Sequence, residues 1–220
     1  MQPRERKEAD RQVKEAVRQF FSRNAEAYAR SPSHRSGADL ARLIALLQPE
    51  PAWRALDAAT AAGQTALALA PLVGEVVGLD LTPAHHFPDV PRAVAEMARV
   101  LRPGGRLGVV DMVAPGDPDA ADLFNALERA RDASHQRALS RAEWQQVIAG
   151  AGLRILALEV QADPVPLEDW LYPVSPDGPE AARVAALLAA APPALRAQVV
   201  EETGSGFLYR KHRVILVAAR

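Results

Sequence analysis

The sequence predicts an α/β fold: a Rossmann-like, mostly parallel sheet with helices on both faces and a final strand that runs antiparallel. Three observations carry that expectation. Strand-like runs alternate with helix-length runs along the chain. Each strand-like run is nearly continuous in apolar residues, as strands covered on both faces are. The apolar run ending at Asp57 turns through small residues to Gly63, continues as a helix-like run Thr65–Ala70, and meets a second strand, Glu75–Leu79, that ends at Asp80. Strand, turn, helix, strand, acid is the order of a nucleotide-type cofactor site.

The elements follow from spacing and punctuation. Val13, Val17, Phe20 and Phe21 recur at helical spacing, which predicts an amphipathic helix over roughly 4–29. Residues 31–37 read as a loop. Leu40, Leu43, Ile44 and Leu47 define the apolar face of a helix over 38–47, stopped by Pro49 and Pro51. After the strand–turn–helix–strand unit, Val94, Met97, Val100 and Leu101 predict a helix over 88–101, broken at Pro103-Gly104-Gly105. Residues 106–113 read as a buried strand, β-branched and apolar throughout. Helices are predicted over 120–131 and 140–150, the second opened by a Ser140/Glu143 capping box. A strand over 155–160, a proline-rich connection over 164–179, alanine-rich helices over 180–202 and a last strand over 214–218 complete the chain. The expected organisation is a single domain over 1–220, with an N-terminal helical cap (1–50) and a helical insertion (163–205) before the last strand.

Composition narrows the function classes. The chain has 220 residues, 49% of them hydrophobic, and a net charge of -1. Neither a basic excess for nucleic acid nor a charge block for a membrane surface stands out. The charged N-terminus and the lack of long apolar runs argue against a signal peptide or membrane span. The chain has no cysteine, so thiolate catalysis, disulfides and cysteine-held metals are excluded. These features fit a cytoplasmic protein acting on a small molecule, with a homodimer as the one protein partner considered. No His/Asp/Glu spacing points to a metal, and no Ser-centred elbow to hydrolysis.

The turn at Asp57 has an ordinary alternative, a plain βα turn with solvated acids at the strand ends. Read as a site, Asp57 holds an ammonium group and Asp80 accepts from ribose hydroxyls. An ammonium, a ribose and no pyrophosphate describe S-adenosylmethionine better than a nicotinamide dinucleotide. The glycine-poor turn also argues against a dehydrogenase.

Here the residues resemble a family. Leu56-Asp57-Ala58-Ala59-Thr60-Ala61-Ala62-Gly63 is similar to the first motif of the class I S-adenosylmethionine-dependent methyltransferases, and Val77-Gly78-Leu79-Asp80-Leu81-Thr82-Pro83 to their second-strand motif. His85-His86-Phe87-Pro88-Asp89 and Glu96 to Leu107 resemble the segments around the fourth and fifth strands. The branch is that of the small-molecule methyltransferases of ubiquinone and menaquinone synthesis. The resemblance implies S-adenosylmethionine as cofactor. It places Asp57, Ala59, Ala61 and Gly63 at the methionine end, Asp80 on the ribose and Leu81 beside the adenine. Tyr28 is implied over the sulfonium, its alternative role being to pack the first helix. His85 is the implied catalytic base, with packing or helix capping as the alternative. Arg131 and His135 lie in a short stretch similar to one near the family's substrate entrance. An ion pair of Arg131 with Asp132 is the alternative there.

The chain departs from the family twice. Ala61 replaces the usual glycine, and a methyl group there crowds the cofactor or strains a turn with positive φ. More severely, the family places a helix, a third strand, a loop and a fourth strand where Pro83 meets Ala84. A parallel crossover takes a dozen or more residues, so roughly 30–50 residues are missing. The fourth strand lies between the first and fifth in the family, so without it the sheet cannot be continuous. Either the recorded chain skips a stretch, which closing the sheet favours, or the deletion is real. The functional expectation is methyl transfer from S-adenosylmethionine to a small molecule. The alternative is a non-catalytic relative serving as a binding or assembly module.

Overall fold

A computed structural model describes residues 37–60, 63–79, 83–204 and 206–220. The expected first helix therefore lies outside the described residues. The elements run α1 (Gly37–Leu47), β1 (Arg54–Ala58), α2 (Gln64–Leu69), β2 (Glu75–Leu79), a 3-10 turn (Ala84–His86), α3 (Val90–Val100), β3 (Arg106–Met112), α4 (Pro118–Arg131), α5 (Arg141–Gly150) and β4 (Arg154–Ala162). They continue with β5 (Val165–Pro166), α6 (Leu167–Leu171), α7 (Pro179–Ala190), α8 (Pro193–Val199), β6 (Val200–Thr203), β7 (Gly206–Tyr209) and β8 (His212–Ala219).

β8 is the spine of the main sheet. It lies between β3 and β4 and is antiparallel to both, so β3 and β4 share one direction. Its side chains alternate between two cores, as the two-residue strand period requires. Ile215 and Val217 meet Leu43 and Leu47 of α1 on one face. Val214, Leu216 and Ala218 meet Val94 and Ala98 of α3 and Trp144 and Ile148 of α5 on the other. Both faces are helix-covered, which is why the strand reads as an unbroken apolar run. Gly108 on β3 lets α1 seat closely, since a Cβ there would stand 2.9 Å from Leu47 Cδ1 and 3.0 Å from Leu43 Cδ1. The Ser140/Glu143 capping box forms as expected, its hydroxyl and carboxylate satisfying two backbone donors at the start of α5.

The sheet is split, as the missing fourth strand requires. β1 and β2 pair in parallel with each other and with nothing else among the described residues. The β3 edge away from β8 likewise has no strand partner among them. Leu56, Val77 and Leu79 are left 53%, 49% and 48% exposed, where strands buried in a full sheet would be covered. The β1–β2 unit is tied to the rest at its amino end, where Arg106 stacks 5.5 Å over the Trp53 ring and donates to the Leu47 carbonyl at 2.6 Å. The Pro83 carbonyl accepts the His86 N–H at 3.0 Å, so the 3-10 turn follows directly on Pro83.

Two further readings change in the 163–205 region. Residues 200–203 extend as β6 and pair with β7 instead of continuing a helix. The proline-rich connection contains β5 and α6, and Trp170 of α6 is buried in a third core with Phe124, Val184 and Tyr209. The basic run Arg210 to Arg213, which leads into β8, is partly buried. Arg213 pairs with Asp39 at 2.6 Å, and burial lowers Lys211 to about 8.

Candidate functional site

The turn after β1 is held by its own acid. Asp57 is buried at the strand end, and its Oδ2 accepts the Thr60 hydroxyl at 2.6 Å and the Ala66 N–H at 2.9 Å. It thereby caps α2, whose preceding residue, Gly63, offers no side chain. One carboxylate oxygen is committed to the turn. Oδ1, which receives no hydrogen bond among the described residues, is the atom left for a ligand ammonium. Gly63 stands at φ 80°, and a Cβ there would meet nothing within 4 Å, so the backbone is open on that side. The described part of this turn thus leaves one carboxylate oxygen and an open stretch of backbone.

Backbone strain falls on Ala59. It has φ 73°, a left-handed conformation that disfavours a Cβ by roughly 1–2 kcal/mol. Its N–H and that of Thr60 converge on the Leu79 carbonyl, at 2.8 and 3.3 Å, which holds the conformation in place. Tyr28, Ala61, Asp80 and Leu81 lie outside the described residues.

His85 sits in the 3-10 turn beside the carboxyl end of β3, where open α/β sheets bind ligands. Its backbone is fixed from both directions. The His85 N–H donates to Asp111 Oδ2 at 3.0 Å, and its carbonyl accepts from Gln136 and Arg137, each at 3.0 Å. Its ring Nδ1 lies 2.5 Å from Asp111 Oδ1, with the His85 side chain 13% exposed and Asp111 buried. The Met112 N–H also donates to Asp111, at 2.8 Å.

Two further histidines line this turn. The His86 ring centroid is 4.4 Å from that of His85, and the His135 centroid 5.6 Å. His86 Nδ1 meets the Ser134 hydroxyl at 3.2 Å, and that hydroxyl donates to Asp132 at 2.6 Å. His135 Nε2 meets Asn125 Oδ1 at 2.8 Å. Burial first, then the neighbouring His85, lowers His86 to about 4. Burial is also the main cause lowering His135 to about 3. Both rings are therefore neutral at pH 7 and turned inward.

That neutrality has a measurable consequence. An unfolded histidine takes its proton near pH 6.5, while these two refuse it until about 4 and 3. As pH falls below 6.5 the unfolded state binds more protons, so stability drops. The slope approaches about 1.4 kcal/mol per pH unit for each ring. Urea midpoints should fall steadily from pH 7 to pH 4.5, and the fall should be shallower in His135→Asn. A midpoint flat over that range contradicts the buried neutral state.

The ion pair offered for Arg131 is corrected. Its partner is Glu128, at 3.2 Å, and its Nη1 also donates to the Trp170 carbonyl at 3.1 Å. Asp132 instead serves Ser134 and His86. His135 is buried, with its Nε2 on Asn125. The residues passed over in the sequence are Asp111 and Glu128. Asp111 is the one acid inside the strand read as apolar throughout, and that position was its signal.

Comparison with known proteins gives a consistent family. A model described as "Methyltransferase domain" matches residues 83–109. The uncharacterized methyltransferase YcgJ of Bacillus subtilis (strain 168) is 31% identical over 194 residues, covering 69% of this chain and 77% of that protein. Since 69% of 220 residues is about 152, about 42 of those 194 positions have no counterpart here. That number falls within the roughly 30–50 residues expected of the crossover. The YcgJ crystal structure superposes with a TM-score of 0.76 at 25% identity, over 83% of this chain and 97% of that one. A proposed methyltransferase of Bacillus halodurans C-125 also gives 0.76, at 24% identity, over 83% and 99%. The geranyl diphosphate C-methyltransferase of Streptomyces coelicolor A3(2), solved with Mg2+, geranyl diphosphate and S-adenosyl-L-homocysteine, gives 0.54 at 15% identity, over 84% and 80%.

Proposed function

The chain belongs to the class I S-adenosylmethionine-dependent methyltransferases, and from that premise we propose that it transfers a methyl group from S-adenosylmethionine to a small-molecule acceptor. The observation that carries the proposal is His85, an imidazole held by backbone and ring contacts at the carboxyl end of β3 with a partly open side chain. A fixed, partly exposed imidazole above a buried polar layer is the arrangement expected of a catalytic group.

S-adenosylmethionine supplies an electrophilic methyl carbon, and the protein's work is to orient, exclude water and manage a proton. Asp57 and the open backbone at Gly63 take the methionine end. Asp80, Leu81 and Tyr28 take the assignments that the family resemblance implies, on the ribose, the adenine and the sulfonium side. His85 removes the acceptor's proton, which assigns the acceptor to phenols, hydroxyls and carbon acids. The Streptomyces enzyme, whose structure holds a donor product and a small-molecule diphosphate, supports a small acceptor for this fold. The chain acts in the proposed single-domain form, with residues 1–50 as cap and 163–205 as insertion.

One observation favours a second reading, a binding or assembly module without catalysis. The sheet is split beside the cofactor turn, and Ala59 is strained within it. Isothermal titration separates the two. Saturable one-to-one binding of S-adenosylmethionine and S-adenosylhomocysteine by the folded chain is expected. A folded chain that gives no heat with either ligand selects the second reading.

A further inference from the structure

We infer that Asp111 is the positioning residue for His85, fixing the ring so that Nε2 is the atom presented to the acceptor. The inference rests on the proposed role of His85 as base. An ionised carboxylate only accepts hydrogen bonds. With Oδ1 at 2.5 Å from Nδ1, the ring nitrogen facing Asp111 must carry the proton. The lone pair then lies on Nε2, at the other end of the ring. The same carboxylate receives the His85 backbone N–H on Oδ2, so ring and main chain are clamped by one group. The Met112 N–H, on Oδ1, fixes the carboxylate in turn. β3 supplies both Asp111 and Met112, and β3 is anchored along its length to β8. The clamp is therefore built on a strand that is hydrogen-bonded along its length.

The neighbouring imidazoles do not compete for this role. His86 Nδ1 is engaged by Ser134, which Asp132 holds, and His135 Nε2 by Asn125. His85 has the side chain that reaches solvent. In the transfer step the acceptor's proton passes to His85 Nε2, and the freed electron pair forms the bond to the methyl carbon. The carbon–sulfur bond breaks with its pair going to sulfur. Asp111 balances the imidazolium until Nε2 releases the proton to solvent.

The test reads the tautomer directly. Histidine-labelled full-length chain is examined by two-dimensional 15N–1H NMR at neutral pH. In the wild type the His85 cross-peaks should show the Nδ1–H form. In Asp111→Ala that form should give way to Nε2–H, the form ordinarily favoured by neutral imidazole. Asp111→Asn keeps an oxygen that accepts from Nδ1–H, so it should retain the wild-type tautomer, and it serves if the alanine variant does not fold. Wild-type cross-peaks of the Nε2–H form, or a tautomer unchanged in folded Asp111→Ala, would overturn the inference. Titration with S-adenosylmethionine on the same samples keeps the two claims apart. Normal binding with the wrong tautomer defeats Asp111 alone, and absent binding with the right tautomer defeats the methyl-transfer reading.

Discussion

His85→Gln is expected to lower kcat for methyl transfer by about 100- to 10,000-fold, the range of a general base. S-adenosylmethionine affinity should stay within about twofold of wild type, because a lost transition-state contact leaves ground-state binding intact. Glutamine is a demanding control. Its amide can still donate to Asp111, so the turn keeps its ring-side anchor, and the backbone contacts to Asp111, Gln136 and Arg137 do not depend on the side chain. What glutamine cannot do is accept a proton. Turnover is followed with methyl-labelled S-adenosylmethionine and a set of phenols and carbon acids, alongside a thermal melt of each variant. A variant that melts with the wild type and turns over at the wild-type rate would reduce His85 to packing.

Glu128→Ala carries the largest expected stability effect. Glu128 is 1% exposed on α4 and is the hub of a buried cluster. Its Oε1 accepts the Tyr209 hydroxyl at 2.8 Å and the Trp170 indole N–H at 3.2 Å, while Oε2 pairs with Arg131. Trp170 and Tyr209 stack at 4.1 Å, and Arg131 lies 5.1 Å over the Trp170 ring. Burial alone would raise the carboxyl, but the Arg131 charge and the Tyr209 hydroxyl help to hold Glu128 below the usual range. Truncation removes the acceptor of the Tyr209 hydroxyl and the Trp170 indole N–H and one partner of the largely buried Arg131 guanidinium. Breaking a buried pair from one side costs about 3–5 kcal/mol. At about 2–4 °C per kcal/mol for a domain of this size, the melting temperature should fall by roughly 6–20 °C. Urea unfolding checks the free energy. A loss below about 1 kcal/mol would show that the cluster does not hold α6 and β7 onto α4.

The fold was legible where period and punctuation agree. β2 was read at its observed bounds because a short apolar run is closed by Gly74 and followed by Asp80. α5 was legible from its capping box. The β6–β7 hairpin was not, because alanine-rich helix propensity runs into Val199-Val200 and only tertiary pairing with Tyr209 makes Val200 a strand. The split sheet followed from the family resemblance, since the fourth strand that would join the first to the fifth has no room between Pro83 and Ala84. Within the site, Asp57 and His85 were legible by type and place. Asp111 was hidden by its apolar neighbours, and Glu128 by a helix of ordinary charge, because each gains its role from partners 26 to 81 residues away. The strain at Ala59 needed a backbone angle that composition does not show.

The proposed transfer requires one bound cofactor to reach from the Asp57 turn to the His85 turn. Hydrogen–deuterium exchange of the full chain, with and without saturating S-adenosylhomocysteine, tests this most directly. Slower exchange at the amides of 63–67 and of 84–87 together is expected. Unchanged exchange in both segments at saturating ligand, or protection confined to regions outside them, would contradict it.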